Sequence, residues 1–437
     1  MEVVLNTHPM FGRNQEGVAT LGGTPIDAIL AAAGCGTPAY LYDLDGIRGA
    51  ARALGAGLGD SPYLIAFAAK ANSAAPVLRA LFAEGCGADV VSGAELTLVE
   101  RAGLTADKIV FSGVAKQDEE IDRALHAGAS GIYAIQAESI EEIARIAARA
   151  SVAGRRARVS LRVNPGIAID THAHVATGHD EAKFGIARAD LGEAFAAIDG
   201  QPAVALVGMS SHIGSTQTST APYEAAARLL FDIARAREAS HGPLEFIDAG
   251  GGFGIDYGNG CAATPADFGS ALRTLQKQAG ASHLKLVVEP GRALVGPFGV
   301  LAASVIQVKV SRSSGRRWLM IDAGMNDLLR PALYQARHRI EPLRAGDVAR
   351  AAFRVVGPIC ESSDDFGSYE LPAEPAPALV IIRDSGAYGF TMASNYNGRP
   401  LPAEVFVSGG RVTEVFPRRS DETWIASRLG EKSSTSR

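Results

Sequence analysis

The sequence predicts an α/β protein that consists of a (β/α)8 barrel of the TIM type and a smaller, mostly antiparallel C-terminal β domain. Three observations support this fold class: short apolar runs alternate with helical patterns, the alternation occurs eight times, and after about residue 300 it gives way to short strands with turn signals. A doubly wound sheet usually ends at five or six strands, so eight units favour the barrel.

Each predicted barrel strand is a short run rich in β-branched, leucine and aromatic residues. The eight runs cover residues 63–68, 88–91, 108–111, 131–135, 158–163, 203–209, 244–247 and 284–288. Between them, apolar residues recur at helical spacing, as in Ile121 with Leu125, Ile140 with Ile143 and Ile146, and Phe268 with Leu272 and Leu275.

The helix after the first barrel strand carries a start signal of its own. Asn72 or Ser73 can serve as its N-cap, and Pro76 suits its first turn. We therefore expect Lys70, at the end of that strand, to be held between two rigid elements.

The domain organisation follows from the same patterns. We assign residues 37–300 to the barrel, residues 1–36 and 301–430 to the β domain, and residues 431–437 to a frayed tail. The segment before residue 36 has no place in the count of eight units and is expected to join the β domain. The GTPAYLYDLD motif that follows it has no place in the count either and is expected to return to the β domain with it.

Composition excludes several classes of function. The 437 residues are 47% hydrophobic and 20% charged, as in globular proteins, and a net charge of −5 offers no basic surface for nucleic acid. The apolar runs are shorter than the roughly 18 residues of a membrane span. The start of the sequence lacks a secretory signal, so we expect a cytoplasmic protein.

The four cysteines lie far apart without a CxxC pair, so we expect no disulfide framework and no metal site.

Chemically useful side chains follow several predicted strands. Lys70 follows the first strand, His212 the sixth, the DAGGGFG turn the seventh and the EPGR motif the eighth. In a barrel of this type, the C-terminal ends of all strands lie on one face, where active sites are found. The sequence therefore predicts a site on that rim.

These groups match the needs of pyridoxal 5′-phosphate (PLP). This cofactor requires an amine, backbone N–H groups for its phosphate, a flat neighbour for its ring and a partner for its pyridine nitrogen. Lys70, His212 and Glu289 can supply the amine, the ring contact and the nitrogen partner, and the phosphate can be held by Gly250, Gly251 and Gly252 with Gly214 and Ser215. A carboxylate at the ring nitrogen makes the ring a strong electron sink, which favours carbanion-forming chemistry such as decarboxylation.

Each part also has a structural alternative. A strand-end lysine can be solvated, and a lone histidine is more often a core residue. DAGGGFG can be a plain tight turn, and its spacing does not fit the GxGxxG fingerprint of dinucleotide-binding sites. EPGR can be a turn with a local ion pair. The convergence of all four on one rim favours the cofactor site.

The motifs resemble the meso-diaminopimelate decarboxylase family of alanine racemase-like, fold type III PLP enzymes. The resemblance runs in order along nearly the whole chain and rests on FAAKAN, DVVSGAEL, VFSGVAK, RVNPG, KFGI, SHIGS, DAGGGFGIDY, EPGR, DAGMNDLLRPALY, GPICES and SGAYGFTMASNYN. It implies decarboxylation of meso-2,6-diaminopimelate to L-lysine and carbon dioxide, the last step of lysine biosynthesis, by a homodimer with shared active sites.

The resemblance also implies roles for individual residues. Lys70 binds the cofactor covalently, His212 stacks on its ring, Glu289 pairs with the ring nitrogen and Cys360 completes the catalytic set. The other implied cofactor contacts are Ser215, Gly250, Gly251, Gly252, Pro290, Gly291, Arg292 and Tyr388. The implied substrate contacts are Arg292, Arg330, Tyr334, Glu361 and Tyr388, with Cys360 and Glu361 supplied by the partner subunit.

The proposed substrate explains these residue types. Diaminopimelate carries an amino and a carboxylate group at each end, so the end that does not react must also be recognised. Arg330 can bind a carboxylate in a bidentate way, and Glu361 can accept from the distal ammonium. Cys360 is a suitable proton donor to the carbanion, although a buried structural cysteine is the alternative.

The sequence departs from the family in places. Thr216 stands where glutamine is common after HIGS, SSHIG replaces the more usual CHIG, and THAHVATGHDEAKFGI varies a stretch near the cofactor or a lid. These departures concern substrate preference more than reaction type.

Other functions remain as alternatives. One is a decarboxylase of a related amino acid or a siderophore precursor on the same scaffold, and Arg330 with Tyr334 disfavours it because a distal amine needs no such clamp. A PLP-binding regulatory protein without turnover is disfavoured by the presence of Lys70 and Cys360. An alanine-type racemase is disfavoured by Glu289, since racemisation prefers a weaker electron sink.

Overall fold

The computed structural model describes residues 11–167, 183–258, 260 and 263–431. The chain divides into two compact units. The barrel unit comprises residues 48–256 and 260–294, and the β unit comprises residues 1–47, 257–259 and 295–437, as far as they are described. Of the predicted frayed tail, residues 432–437 lie outside the described part of the chain, as does the THAHVATGHD stretch.

The strands in chain order are β1 (Phe11–Arg13), β2 (Ala19–Leu21), β3 (Thr24–Pro25), β4 (Ala39–Asp43), β5 (Tyr63–Ala68), β6 (Gly87–Val90), β7 (Ile109–Phe111), β8 (Ala134–Ala137), β9 (Ala157–Asn164), β10 (Ile186–Ala187), β11 (Val204–Ser210), β12 (Phe246–Asp248), β13 (Lys285–Val288), β14 (Gly299–Val310), β15 (Arg317–Ile321), β16 (Ile340–Pro342), β17 (Arg350–Val356), β18 (Asp365–Pro372), β19 (Leu379–Ile382), β20 (Ala403–Ser408) and β21 (Arg411–Phe416). The α-helices are α1 (Ile26–Ala33), α2 (Leu44–Leu58), α3 (Ala75–Ala83), α4 (Gly93–Arg101), α5 (Asp118–His126), α6 (Ile140–Val152), α7 (Leu191–Asp199), α8 (Ala221–His241), α9 (Pro265–Gln278), α10 (Arg292–Val295), α11 (Arg330–Tyr334) and α12 (Asp421–Leu429).

The barrel unit is built around a closed ring of eight parallel strands. In order around the ring these are β5, β6, β7, β8, β9, β11, β12 and β13, and β13 closes the ring by pairing with β5. The short strand β10 pairs in parallel with β9. The predicted (β/α)8 barrel is confirmed, and each predicted strand overlaps one of the ring.

The core of the barrel unit explains why its strands read as apolar runs. Parallel strands that are covered by helices on the outside are buried on both faces. The cluster within the ring contains Leu64, Ala66, Val110, Tyr133, Ala134, Val207, Phe246 and Val287. The predicted helical faces are buried as well, with Ile121 and Leu125 on α5, Ile143 and Ile146 on α6, and Phe268, Leu272 and Leu275 on α9.

The start of α3 differs from the prediction. The N-cap is Ala74, which makes no side-chain cap, and Pro76 lies in the first turn as expected. Asn72 instead accepts the N–H of Ala74 through Oδ1 at 3.1 Å. The helix begins later than predicted because residues 69–71 form a short 3₁₀ turn, which holds Lys70 directly after β5.

The β unit contains a mixed sheet that is antiparallel at most of its pairings. Its main path runs β18, β17, β15, β14, β4, β20 and β21, with β19 paired to β14 and β16 paired to β19. The pairs β15 with β17 and β4 with β20 are parallel. A small sheet of β1, β2 and β3 joins the same unit, and one side of the core is formed by Leu21, Ile26, Leu41, Val300, Ile381 and Val405.

The boundaries of the barrel unit differ from the predicted residues 37 and 300. Residues 37–47 and 295–300 belong to the β unit. The reason is strand pairing, because Ala39 on β4 lies opposite Ala302 on β14 and opposite Ala403 on β20. The GTPAYLYDLD motif therefore forms a central strand of the mixed sheet. None of the helices in the described ranges is long and apolar enough to cross a membrane.

Candidate active site

Lys70 and Asp89 form an ion pair at the C-terminal rim of the barrel. Lys70 lies in the turn after β5, and its Nζ is 2.9 Å from Oδ2 of Asp89, near the end of β6. The Asp89 side chain is fully buried, whereas that of Lys70 is 39% exposed. Asp89 also accepts a hydrogen bond from the hydroxyl of Ser112 through Oδ1. The lysine amine is therefore held in place and still reachable from the rim.

His212 follows β11 and is held as a neutral ring. Burial lowers the pKa of His212 well below its usual value, and the positive charges of Arg162 and Lys70 lower it further. Its Nδ1 lies 3.1 Å from the amide nitrogen of Gly251, which donates to it. The ring proton therefore resides on Nε2. A neutral, fixed imidazole is suited to packing against a flat ligand.

Glu289 follows β13 and is a buried carboxyl group with a second carboxyl group beside it. Its Oε1 accepts from Nε2 of Gln136 at 2.7 Å, and the same Nε2 donates to Oδ2 of Asp248 at 2.9 Å. Burial and repulsion from Asp248 and Asp89 raise the pKa of Glu289 well above its usual range. Burial raises the pKa of Asp248 too. The pair therefore favours holding a proton near neutral pH.

The backbone conformation and the close packing of the DAGGGFG turn require glycine at three positions. Gly250 and Gly252 have φ values of +68° and +88°, in the left-handed region. A Cβ on Gly251 would lie 2.7 Å from the carbonyl carbon of Glu289, and one on Gly252 would lie 2.6 Å from Nε2 of Gln217. The amides of Gly250 and Gly251 donate to Asp248 and His212. The backbone amides of Gly250 and Gly251 thus hold the side chains of Asp248 and His212, while the glycines themselves add no side chain to the rim.

The EPGR motif joins three parts of the rim. The carbonyl of Pro290 accepts the N–H of Ala68, at the end of β5, at 3.0 Å. Arg292 is 6% exposed, and its guanidinium donates to Oγ of Ser215 at 3.2 Å. Gly291 accepts the N–H of Leu294 at 3.1 Å and so begins the short helix α10. Ser215 is thereby oriented beside the glycine turn.

Arg330, the predicted carboxylate ligand, lies in the β unit on α11. It is 4% exposed, and its guanidinium donates to the hydroxyl of Tyr257 at 2.9 Å and to Nε2 of His338 at 2.8 Å. The guanidinium carbon also lies 4.9 Å from the centre of the Tyr257 ring. Because His338 accepts through Nε2, it is neutral and donates through Nδ1 to the carbonyl of Arg383 at 2.8 Å. Arg330 is thus a buried and oriented cation. Tyr334, half-buried, ends the same helix.

Cys360 and Glu361 lie in the β unit on an exposed loop after β17. The N–H of Cys360 donates to Oδ1 of Asn397 at 3.0 Å, and the hydroxyl of Tyr396 donates to Oε1 of Glu361. Cys360, like the buried Cys86, carries a free thiol. The sequence-based alternative of a buried structural Cys360 is wrong, because its side chain is exposed.

Tyr388 lies in the β unit after β19. Its φ of +56° is in the left-handed region, which is uncommon for a residue with a large side chain. Such a conformation persists only where the surrounding structure imposes it, and it is concentrated at functional sites. The backbone of Tyr388 is therefore consistent with a placed side chain.

The residues of the barrel rim fit PLP. The rim offers an amine on Lys70, a flat neutral ring on His212, a buried carboxyl group on Glu289 and a turn of three glycines, which carry no side chains of their own. These are the four groups that the cofactor requires. The structure brings these predicted residues to the ends of β5, β11, β12 and β13, and it places Arg330, Tyr334, Cys360, Glu361 and Tyr388 in the β unit.

Sequence reasoning missed three residues of the rim: Asp89, Gln136 and Asp248. Each is at most 1% exposed and lies within a strand whose two faces are buried. A buried polar side chain without a partner costs free energy, so a polar residue in such a strand implies a partner nearby. That signal was available in the sequence at all three positions.

Comparison with known proteins gives consistent results. The family model for the pyridoxal binding domain of pyridoxal-dependent decarboxylases matches residues 44–296. Diaminopimelate decarboxylase of Zymomonas mobilis is 40% identical over 399 residues, which covers 90% of this chain and 92% of the relative. The crystal structure of diaminopimelate decarboxylase from Helicobacter pylori complexed with L-lysine has a TM-score of 0.84 and 34% identity, covering 90% of this chain and 98% of the other. The enzyme from M. jannaschii in co-complex with L-lysine has a TM-score of 0.88 and 32% identity, with coverage of 96% and 98%.

Proposed function

Because the chain belongs to the diaminopimelate decarboxylase family of pyridoxal-dependent decarboxylases, we infer that it converts meso-2,6-diaminopimelate into L-lysine and carbon dioxide. It is a PLP-dependent carboxy-lyase. The observation that carries this function is the rim of the barrel, where the amine of Lys70 lies 2.9 Å from buried Asp89 and shares the strand ends with His212 and Glu289.

We propose the following roles for the residues of the barrel. Lys70 binds the cofactor covalently, and Asp89 keeps its amine oriented. His212 packs against the ring, and Glu289 faces the ring nitrogen. When bound, PLP supplies an electron sink that stabilises the carbanion left by decarboxylation. The phosphate is held by Ser215, Gly252 and the backbone N–H groups of Gly291 and Arg292, with Pro290 beside them. Gly250 and Gly251 provide room, and Tyr388 adds a further contact.

The substrate contacts are argued from charge and burial. Arg330 is held by Tyr257 and His338, so little side-chain entropy is lost when it binds a carboxylate. A buried guanidinium that receives a carboxylate in a bidentate way forms one of the stronger contacts in proteins. Arg292, Tyr334 and Tyr388 complete the proposed carboxylate side.

The distal ammonium and the proton require the loop that carries Cys360 and Glu361. Both side chains are exposed within a single chain. We propose that they act in a homodimer, where this loop enters the site of the partner subunit. Glu361 then accepts from the ammonium, and the thiol of Cys360 donates a proton to the carbon that lost carbon dioxide. The cytoplasmic location predicted from the sequence stays a prediction.

A substrate panel tests the reaction. Purified protein with PLP is supplied separately with meso-diaminopimelate, lysine, ornithine and arginine, and released carbon dioxide is measured. We expect turnover of diaminopimelate at a kcat/KM far above that of the other three. Preferred turnover of ornithine, arginine or lysine would instead support the alternative of a related amino-acid decarboxylase.

Subunit mixing tests the shared site. Lys70→Ala and Cys360→Ala proteins are each expected to be inactive or nearly so. After mixing, half of the dimers are mixed and each has one intact site, so about a quarter of wild-type activity should return. If activity does not return although exchange of subunits is verified by mass, the shared site is wrong.

A further inference from the structure

Two buried carboxyl groups of the barrel share a single amide group. Nε2 of Gln136 lies 2.9 Å from Oδ2 of Asp248 and 2.7 Å from Oε1 of Glu289. Gln136 is 1% exposed, Asp248 is not exposed and Glu289 is 7% exposed. A primary amide has two N–H hydrogens, and both are directed to these carboxyl groups.

The backbone around Gln136 is fixed as firmly as its side chain. Its carbonyl accepts from Nζ of Lys116 at 2.7 Å, and the same ammonium bonds the carbonyl of Gly113 at 2.6 Å and Oε2 of Glu142 at 3.2 Å. Lys116 is 3% exposed. The end of β8 is therefore anchored to the loop after β7 and to α6, and Gln136 is presented from a rigid base.

The electrostatics of Asp248 and Glu289 explain why an uncharged amide is a suitable hydrogen-bond donor to both. Asp248 and Glu289 are hydrogen-bonded to each other, and burial raises the pKa of both, so the pair carries fewer than two charges near neutral pH. The charged groups around the pair are Asp89, Lys70 and Arg162. A lysine at position 136 would add a charge, and an aliphatic residue would leave two buried acceptors without this donor. Glutamine satisfies both acceptors without changing the charge.

We propose that Gln136 is a positioning residue that holds Asp248 and Glu289 as one unit and so fixes the carboxyl group of Glu289 toward the cofactor ring. This inference rests on the proposed role of Glu289 at the ring nitrogen. A positive charge beside Glu289 favours its ionised form. Oδ1 of Asp248 accepts the N–H of Gly250 at 2.9 Å and its Oδ2 accepts from Nε2 of Gln136, so the neighbouring carboxyl group is held at both oxygens.

The matched pair of variants is Gln136→Leu and Gln276→Leu. Gln276 is equally buried at 1%, accepts from Ser61 at 2.7 Å and donates to the carbonyl of Leu284 at 2.7 Å, but it lies on α9 and neither of these partners is a rim residue. Both variants lose two hydrogen bonds of a buried glutamine. A purely structural role predicts the same consequence for both, namely a lower melting temperature.

Holoenzyme absorbance, cofactor retention and kinetics are then measured. In Gln136→Leu, we expect the pH midpoint of the visible band of bound PLP to move by about one unit or more. The rate of PLP dissociation should rise about tenfold, and kcat should fall about tenfold with KM nearly unchanged. Gln276→Leu should keep the wild-type midpoint and kcat. Gln136→Met provides a second variant if the leucine protein does not fold. Gln136→Leu combined with Asp248→Asn should be less damaging than the sum of the two single changes.

The outcomes separate this inference from the proposed function. If Glu289→Gln leaves the spectrum and its pH midpoint unchanged, Glu289 does not face the ring nitrogen and the proposed function of that residue fails. If Glu289→Gln changes them while Gln136→Leu and Gln136→Met behave like Gln276→Leu, only the positioning role of Gln136 is overturned.

Discussion

Replacing Gly251 by alanine tests the glycine turn at the centre of the site. A Cβ at this position would lie 2.7 Å from the carbonyl carbon of Glu289 and closer still to its oxygen, whereas ordinary contact begins at 3.4 Å. The carbonyl carbon alone would have to move by about 0.7 Å to reach ordinary contact and the oxygen by more, and backbone moves less easily than a side chain. Overpacking of this kind costs about 1–3 kcal/mol. The same substitution disturbs the amide that His212 accepts.

The variant should therefore lose cofactor affinity as well as stability. We expect the Kd for PLP to rise at least about tenfold, equivalent to roughly 1.4 kcal/mol, and the melting temperature to fall. Absorbance titration and thermal unfolding measure the two effects. Gly192→Ala is the control, because this exposed glycine of α7 has no atom within 4 Å of an added Cβ and alanine should stabilise the helix by about 0.5–1 kcal/mol. Wild-type PLP affinity in Gly251→Ala would refute the steric reasoning.

Three further predictions concern charge. Lys70→Arg keeps a cation beside Asp89 but offers no amine, so the purified protein should lack the visible PLP band and all activity, and a retained band would contradict the assignment. Arg330→Lys removes the bidentate fork and should raise KM for diaminopimelate by 10-fold or more, about 1.5–3 kcal/mol, with the PLP band intact; unchanged steady-state kinetics would argue against the carboxylate contact. Burial raises the pKa of Glu404 from 4.5 to about 7, so the folded state loses stability as pH rises between these values. Glu404→Gln should consequently stabilise the protein by up to about 3 kcal/mol at pH 8 and by little near pH 4.5, as measured by urea unfolding, and an equal effect at both pH values would exclude this cause.

The barrel could be predicted because its strands are buried on both faces. Such strands appear as apolar runs, and the turns between them contain glycine and polar residues. The strand ends were less certain, as β8 shows, where the prediction of 131–135 precedes the observed Ala134–Ala137. Gly131 and Ile132 belong instead to the connection from α5, since the N–H of Ile132 donates to the carbonyl of Ala124.

The unit boundary could not be predicted from local pattern. The AYLYD run of β4 is buried along its whole length, as the barrel strands are, and it lies shortly before the barrel in the sequence. Its partners β14 and β20 lie some hundreds of residues further along the chain, and nothing in the run itself specifies them. Pairing over such distances is a property of the fold rather than of the segment.

The candidate site was predicted where its residues stand just outside strands and missed where they stand inside them. Lys70, His212 and Glu289 interrupt an apolar pattern at its end, which is visible in the sequence. Asp89 is the next-to-last residue of β6 and Asp248 the last of β12, and both lie within runs of buried, mostly apolar residues. The charged residue inside a buried strand is the stronger signal, because it cannot be solvated and must have a partner.

The distribution of charge in the barrel favours a cationic ligand beside Glu289. Asp89, Asp248 and Glu289 bring three carboxyl groups into the buried end of the barrel, where burial and then repulsion between the carboxyl groups raise the pKa of Asp248 and Glu289. Such repulsion lowers the stability of the unliganded protein. A ligand that places a cation beside Glu289 reduces this repulsion, so cofactor binding and folding stability are coupled. PLP should therefore raise the free energy of unfolding of the barrel both through its direct contacts and through the reduced repulsion between the carboxyl groups.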